Sequence, residues 1–120
     1  MNNFLVEFYK KGNGECPVAE FLDHLDVKIS CKLSGLIMLL ERNGNDLREP
    51  YSKHIEDGIF ELRVKQGSNI VRVLYFFILG RKIIITNGFV KKTNKIPQKE
   101  IKLAKKFRSE YLRRGEIDEV

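Results

Sequence analysis

Two arginines and a run of lysines define the chemistry open to this sequence. Arg63 and Arg72 flank the break at Gln66-Gly67-Ser68-Asn69, and Lys91 and Lys92 close the next extended segment. If these segments pair as neighbouring strands, both guanidiniums and one of the two lysines can converge on one concave sheet face. A guanidinium offers a phosphate two parallel donors, which an ammonium cannot copy, so Arg72 is the first candidate for an anion contact. Arg72 also shares strand parity with Ile70, Leu74 and Phe76, so its charge stands among apolar neighbours and needs a partner or a function. Proton transfer has two candidates. His54, an imidazole able to take or give a proton, lies just before the extended segments. Glu61 shares parity with Arg63 and Lys65, and it either serves as a base tuned by cations and burial or simply pairs with one of them. Lys53, Lys65, Lys92, Lys95 and Lys99 are the further cations that would track an anionic backbone. No zinc-ligand cluster, glycine-rich nucleotide loop or Ser-His-Asp arrangement is visible, so neither metal nor cofactor is expected.

The distribution of charge points the same way. The chain of 120 residues carries a net charge of +6 with a pI near 9.4. Residues 1–80 hold 10 basic and 11 acidic side chains, whereas residues 81–114 hold 12 basic and 2 acidic ones. Such asymmetry is the footprint of a nucleic-acid or acidic-protein partner, against the simpler reading of a solvated helix face. The length fits one domain over residues 1–120, with 42% hydrophobic residues to fill its core. Cys16 and Cys31 are the only cysteines, which fits a reduced cytoplasmic protein better than a disulfide framework. No leader pattern or membrane-length apolar run is present, so a soluble protein without a membrane partner is expected.

These residues must be positioned by a set of elements that the patterning predicts. Residues 4–9 read as a first strand. Pro17 opens a helix with Val18, Phe21, Leu22 and Leu25 on one stripe, and Asp26 can cap a second helix in which Ile29, Leu33, Leu36 and Leu40 share a face before Gly44. Breaks at Asp57-Gly58, Gln66-Gly67-Ser68-Asn69 and Gly80-Arg81 divide strands over 59–65, 70–79 and 82–90 into an antiparallel meander. In the first of these, the face carrying Glu61, Arg63 and Lys65 reads as free for work. Pro97 starts a last helix whose apolar face is Ile101, Leu103, Ala104, Phe107, Tyr111 and Leu112, and Gly115 should end it. The expected fold is α+β, an antiparallel sheet packed against an N-terminal helix pair and a C-terminal helix.

Three stretches then match a known pattern. Glu61-Leu62-Arg63, the segment from Arg72 to Tyr75, and Gly88-Phe89-Val90-Lys91-Lys92-Thr93 followed by Lys95-Ile96-Pro97 and Glu100-Ile101 resemble the RelE/ParE toxin superfamily, specifically its HigB-like, phage-derived Gp49-like branch. The likeness spans about residues 50–111, and the N-terminal strand and helix pair match only in order. It implies a RelE-like fold and the toxin of a type II toxin–antitoxin pair. Such a toxin is neutralised by a cognate antitoxin with a helix-turn-helix domain and, when free, cuts messenger RNA on the ribosome. Related members instead inhibit DNA gyrase, and a non-catalytic, phage-derived RNA-binding accessory protein is a third reading. Metal-independent cleavage of this kind has the ribose 2′-hydroxyl attack the adjacent phosphate, where preorganised cations stabilise the developing charge. Many such toxins carry lysines on the strand that here holds Ile59 and Glu61. Some use a tyrosine near the C-terminus, for which Tyr111 is the candidate, although its apolar helix face favours core packing.

Overall fold

The structure, a computed structural model, describes residues 3–118. Its elements run β1 (Leu5–Phe8), α1 (Pro17–Asp23), α2 (Val27–Asn43), β2 (Ser52–Glu56), β3 (Ile59–Gln66), β4 (Asn69–Ile78), β5 (Lys82–Lys91) and α3 (Gln98–Asp118). The five strands form one sheet in the order β1-β5-β4-β3-β2. The expected meander is present as β3-β4-β5, with antiparallel registers such as Arg63↔Arg72 and Arg72↔Phe89. Its turns obey local chemistry. At Asp57-Gly58 both residues take positive φ, 50° and 75°, the geometry of a tight hairpin that a glycine makes easy.

The two faces of the sheet are covered by different helices. α1 and α2 cover one face, where Val18, Leu33 and Leu40 pack on Leu62, Val73, Tyr75 and Ile85. α3 covers the other, where Ile101, Ala104 and Phe107 pack on Ile59, Leu74, Phe76 and Ile84. Burial on both sides explains why β4 reads as a continuous apolar run rather than an alternating one. α1 lies so close to β5 that a Cβ on Gly88 would sit 2.4 Å from the Phe21 ring.

Several expectations need correction. The sheet is mixed, because β1 pairs parallel to β5, and β2 adds an edge strand on β3. Asp26 precedes α2 without a side-chain cap, whereas Gly44 does end it with a positive φ of 52°. α3 runs through Gly115 to Asp118, since a single glycine costs a helix only about 1 kcal/mol. Leu112 is exposed and lies off the buried stripe, while Tyr111 is half-buried. The face of β3 expected to be free is covered at its start, with Ile59 and Glu61 both buried. No helix among the described residues is long and apolar enough to cross a membrane.

Candidate functional site

Strand register builds a charged triad. Arg63 and Arg72 are direct cross-strand partners, and Glu61 lies two residues before Arg63 on the same face. Arg72 Nε approaches Glu61 Oε2 to 3.0 Å, and Arg63 Nη1 lies 3.7 Å from Glu61 Oε1. The Arg72 and Glu61 side chains are 0% and 2% exposed, while Arg63 keeps 17%. The Arg72–Glu61 contact is an ion pair without hydrogen-bond alignment, and Arg72 Nη1 has no hydrogen-bond partner among the described residues. Burial pushes the Glu61 carboxyl above its usual range, against the pull of Arg72, Arg63 and Lys53. Burial likewise lowers the Arg72 guanidinium, which Glu61 opposes.

The triad holds down a loop. Arg72 Nη2 donates to the Thr93 carbonyl, and Arg63 Nη2 donates to Asn94 Oδ1 at 2.9 Å. Residues 92–97 therefore cross the α3 face of the sheet as a strap between β5 and α3, with Lys92, Thr93, Asn94 and Lys95 exposed along it. Lys91, Lys92 and Lys95 border a hollow of about 600 Å³ beside Pro97 and Gln98, where α3 begins. A second cleft of about 250 Å³ lies between β2 and this loop, bordered by Lys53, Glu61, Asn94, Lys95 and Gln98. Three lysines border the first hollow, an arrangement that favours a bound polyanion, whereas the second cleft sets Lys53 and Lys95 against Glu56 and Glu61.

The structure gathers some sequence candidates and separates others. Glu61, Arg63 and Arg72 meet, and Lys53, opposite Glu61 in register, joins their face. Lys91 shares that face through the row Lys65–Ile70–Lys91, and exposed Lys99 sits in the first turn of α3. Lys65 is exposed at the far end of β3, outside the cleft. Arg72 is not available at the surface, so it supports the strap rather than meeting a ligand directly. His54 pairs in register with Phe60 and meets that ring edge-to-face at 5.0 Å, and its Nε2 accepts a hydrogen bond from Gly58 N–H at 3.3 Å. Since Phe60 packs against the α1/α2 core and Glu61 lies on the opposite face, the His54 ring points away from the arginines. Tyr111 is also remote. Its hydroxyl donates to Glu7 Oε1 at 3.0 Å and accepts from Lys82 Nζ at 3.4 Å, beside the β5 end that pairs with Ile78.

Thr93 and Asn94 are the participants that sequence reasoning missed. The signal was present in Arg72, a charge on a buried parity that had to find both a carboxylate and a carbonyl. Cys16 and Cys31 are both free. The family model for phage-derived protein Gp49-like (DUF891) matches residues 20–109, a stretch that contains the triad, the strap and most of α3. No curated protein matches the chain.

Proposed function

We propose that this chain, which belongs to the phage-derived Gp49-like family, is a HigB-like toxin that cuts translated messenger RNA. The family is RelE/toxin-like, and its members are often toxins of toxin–antitoxin systems. The observation that carries the reading is the strap of exposed lysines fixed over a buried Arg–Glu–Arg cluster. A preorganised cationic surface of this kind stabilises a phosphate gaining charge without having to reorganise during the reaction. The helix pair and α3 on opposite faces of the sheet also support a RelE-like arrangement, acting as one domain.

In the proposed reaction the 2′-hydroxyl gives up its proton and its oxygen bonds to phosphorus as the bond from phosphorus to the 5′-oxygen breaks, leaving a 2′,3′-cyclic phosphate and a 5′-hydroxyl that takes its proton from solvent. Arg63, Lys53 and Lys95 neutralise the crowded phosphate, and Lys91 and Lys92, which border the other hollow, hold flanking phosphates together with Lys99. Arg72 acts through Glu61 and Thr93 as a positioning residue. Glu61 and His54 both border the cleft, and Glu61 is the proton acceptor favoured by position, since it lies beside Arg63 and Arg72 while the His54 ring packs on Phe60 and accepts from Gly58 N–H. The neutralising partner is an antitoxin, and the ribosome presents the message.

Expression without the partner should stop growth, and primer extension should then reveal breaks within translated messages. Arg63→Ala should cut cleavage about 10²-fold with the fold intact, because it removes the charged donor that contacts Glu61 and Asn94, both of which border the cleft. Arg72→Ala is the poorer test, since it would leave Glu61 buried without its closest cation. Growth arrest with intact messages and damaged DNA would replace this reading with gyrase inhibition, and normal growth would leave only an accessory role.

A further inference from the structure

β3 has a strand neighbour on its outer side along only part of its length. The register with β2 ends at Ser52↔Leu62, and the last bond across that edge runs from Arg63 N–H to the Tyr51 carbonyl at 3.1 Å. The chain then leaves through Pro50, which has no N–H to offer a ladder. Backbone groups alternate sides along a strand, so the N–H and C=O of Lys65 point the same way as those of Arg63, outward and past the end of β2. The hairpin register Gln66↔Asn69 agrees, because the residue before such a closing pair turns its backbone groups away from β4. Among the described residues no strand covers this edge.

A groove of about 570 Å³ lies beside it, with Leu36, Pro50, Tyr51 and Val64 in its walls. Lys32, Arg63 and Lys65 supply three cations against the single acid Glu49. Tyr51 is 47% exposed, a large ring left at the rim. We propose that this edge and groove receive an extended acidic segment of a partner protein, added to the sheet as a further strand beyond β2. Alternating aliphatic and acidic side chains would serve both halves of the site, with the aliphatic ones entering the groove and the carboxylates meeting the three cations. A peptide fits better than RNA because the free edge presents a donor and an acceptor at peptide spacing, for which a sugar-phosphate chain has no matching array. Arg63 also holds Asn94, so a carboxylate drawn to Arg63 competes with the strap and couples occupancy to the proposed catalytic face. Only the partner's identity as antitoxin rests on the toxin reading.

The test uses the full chain and a fluorescent peptide alternating glutamate with valine or leucine, read by anisotropy. Lys65→Ala keeps the edge N–H and should weaken binding about threefold, whereas Lys65→Pro removes it and should weaken binding a further tenfold or so. In the unsubstituted chain the peptide should slow hydrogen exchange at the Lys65 amide, and that measurement decides should Lys65→Pro not fold. Equal affinity in the two variants with unchanged exchange at Lys65 would overturn the proposal. Displacement of the peptide by single-stranded oligouridylate, equally well in both variants, would also overturn it and assign the groove to RNA. Binding is measured without any cleavage, so a chain that takes the peptide but leaves messages intact loses the nuclease reading alone.

Discussion

At the scale of single residues, the Glu61–Arg72 pair tests whether a buried charge serves stability or position. Glu61→Gln leaves Arg72 buried without a counter-charge and should cost about 3 kcal/mol or more in denaturant melts. The double substitution Glu61→Leu with Arg72→Met replaces the pair by apolar side chains of similar size, so most of that stability should return. Message cleavage should not return, because the proposed proton acceptor Glu61 is gone, Thr93 would have lost its donor and Asn94 a fixed Arg63. A fully active double variant would rule out the positioning role. Tyr75 gives a second measurement. Burial pushes its hydroxyl up to about 12, and its partner Ser52 is equally buried. A tyrosine in the unfolded chain ionises near pH 10. The folded state therefore prefers the neutral form, so this contribution is complete below about pH 10 and lost as pH rises towards 12. Alkaline melts should show a smaller loss in Tyr75→Phe than in the unsubstituted chain, the remainder coming from Tyr9 and Tyr111, whose hydroxyls burial also pushes up. Sequence parity was enough to place Arg72 among apolar neighbours. It was not enough to place the side chain of His54, because the register of a short edge strand is set by its partner.

At the scale of elements, what was legible depended on whether local pattern or tertiary contact decided the outcome. β3, β4 and β5 announced themselves through branched and aromatic runs between turn residues, and α2 through its stripe of Ile29, Leu33 and Leu40. β2, with the sequence Ser-Lys-His-Ile-Glu, has little intrinsic preference and becomes a strand because β3 offers it an edge. The four residues of β1 show extended character, but nothing in them specifies parallel pairing with β5, a choice made some 80 residues later in the chain. Gly88 marks a contact between elements that the sequence did not explain. Adding a Cβ there would place it 2.4 Å from the Phe21 ring, so α1 has to shift or the ring has to leave its position. Gly88→Ala should destabilise the fold by about 1–3 kcal/mol in urea. Phe21→Leu in the same chain should recover part of the loss, since the obstructing ring is then gone. An additive double variant would show that the strain lies elsewhere.

At the scale of the whole molecule, the excess of cations in residues 81–114 becomes more local once pairing is counted. Lys105 meets Glu56 at 2.7 Å, Arg108 meets Asp57 at 2.9 Å, and Arg114 donates to the Lys10 carbonyl and the Tyr9 hydroxyl. These contacts tie α3 to the β2–β3 turn and to the chain end of β1, so they fasten the helix rather than project charge. Lys91, Lys92 and Lys95 have no ion-pair partner among the described residues and surround one hollow at the start of α3. Lys106 lies further along the helix, bordering a different hollow near Lys11. If the anionic ligand follows the strap, salt dependence should separate these two groups. Affinity for single-stranded RNA should fall linearly with the logarithm of salt concentration. Replacing Lys91, Lys92 and Lys95 by glutamine should flatten that slope by about 2, the share expected from three lost phosphate contacts. The same loss should appear with RNAs of different sequence, because phosphate contacts carry no base information. Lys106→Gln should leave the slope nearly unchanged. Equal flattening by both sets would mean that RNA reads only the summed charge of the helix, and the strap would have no privileged place in binding.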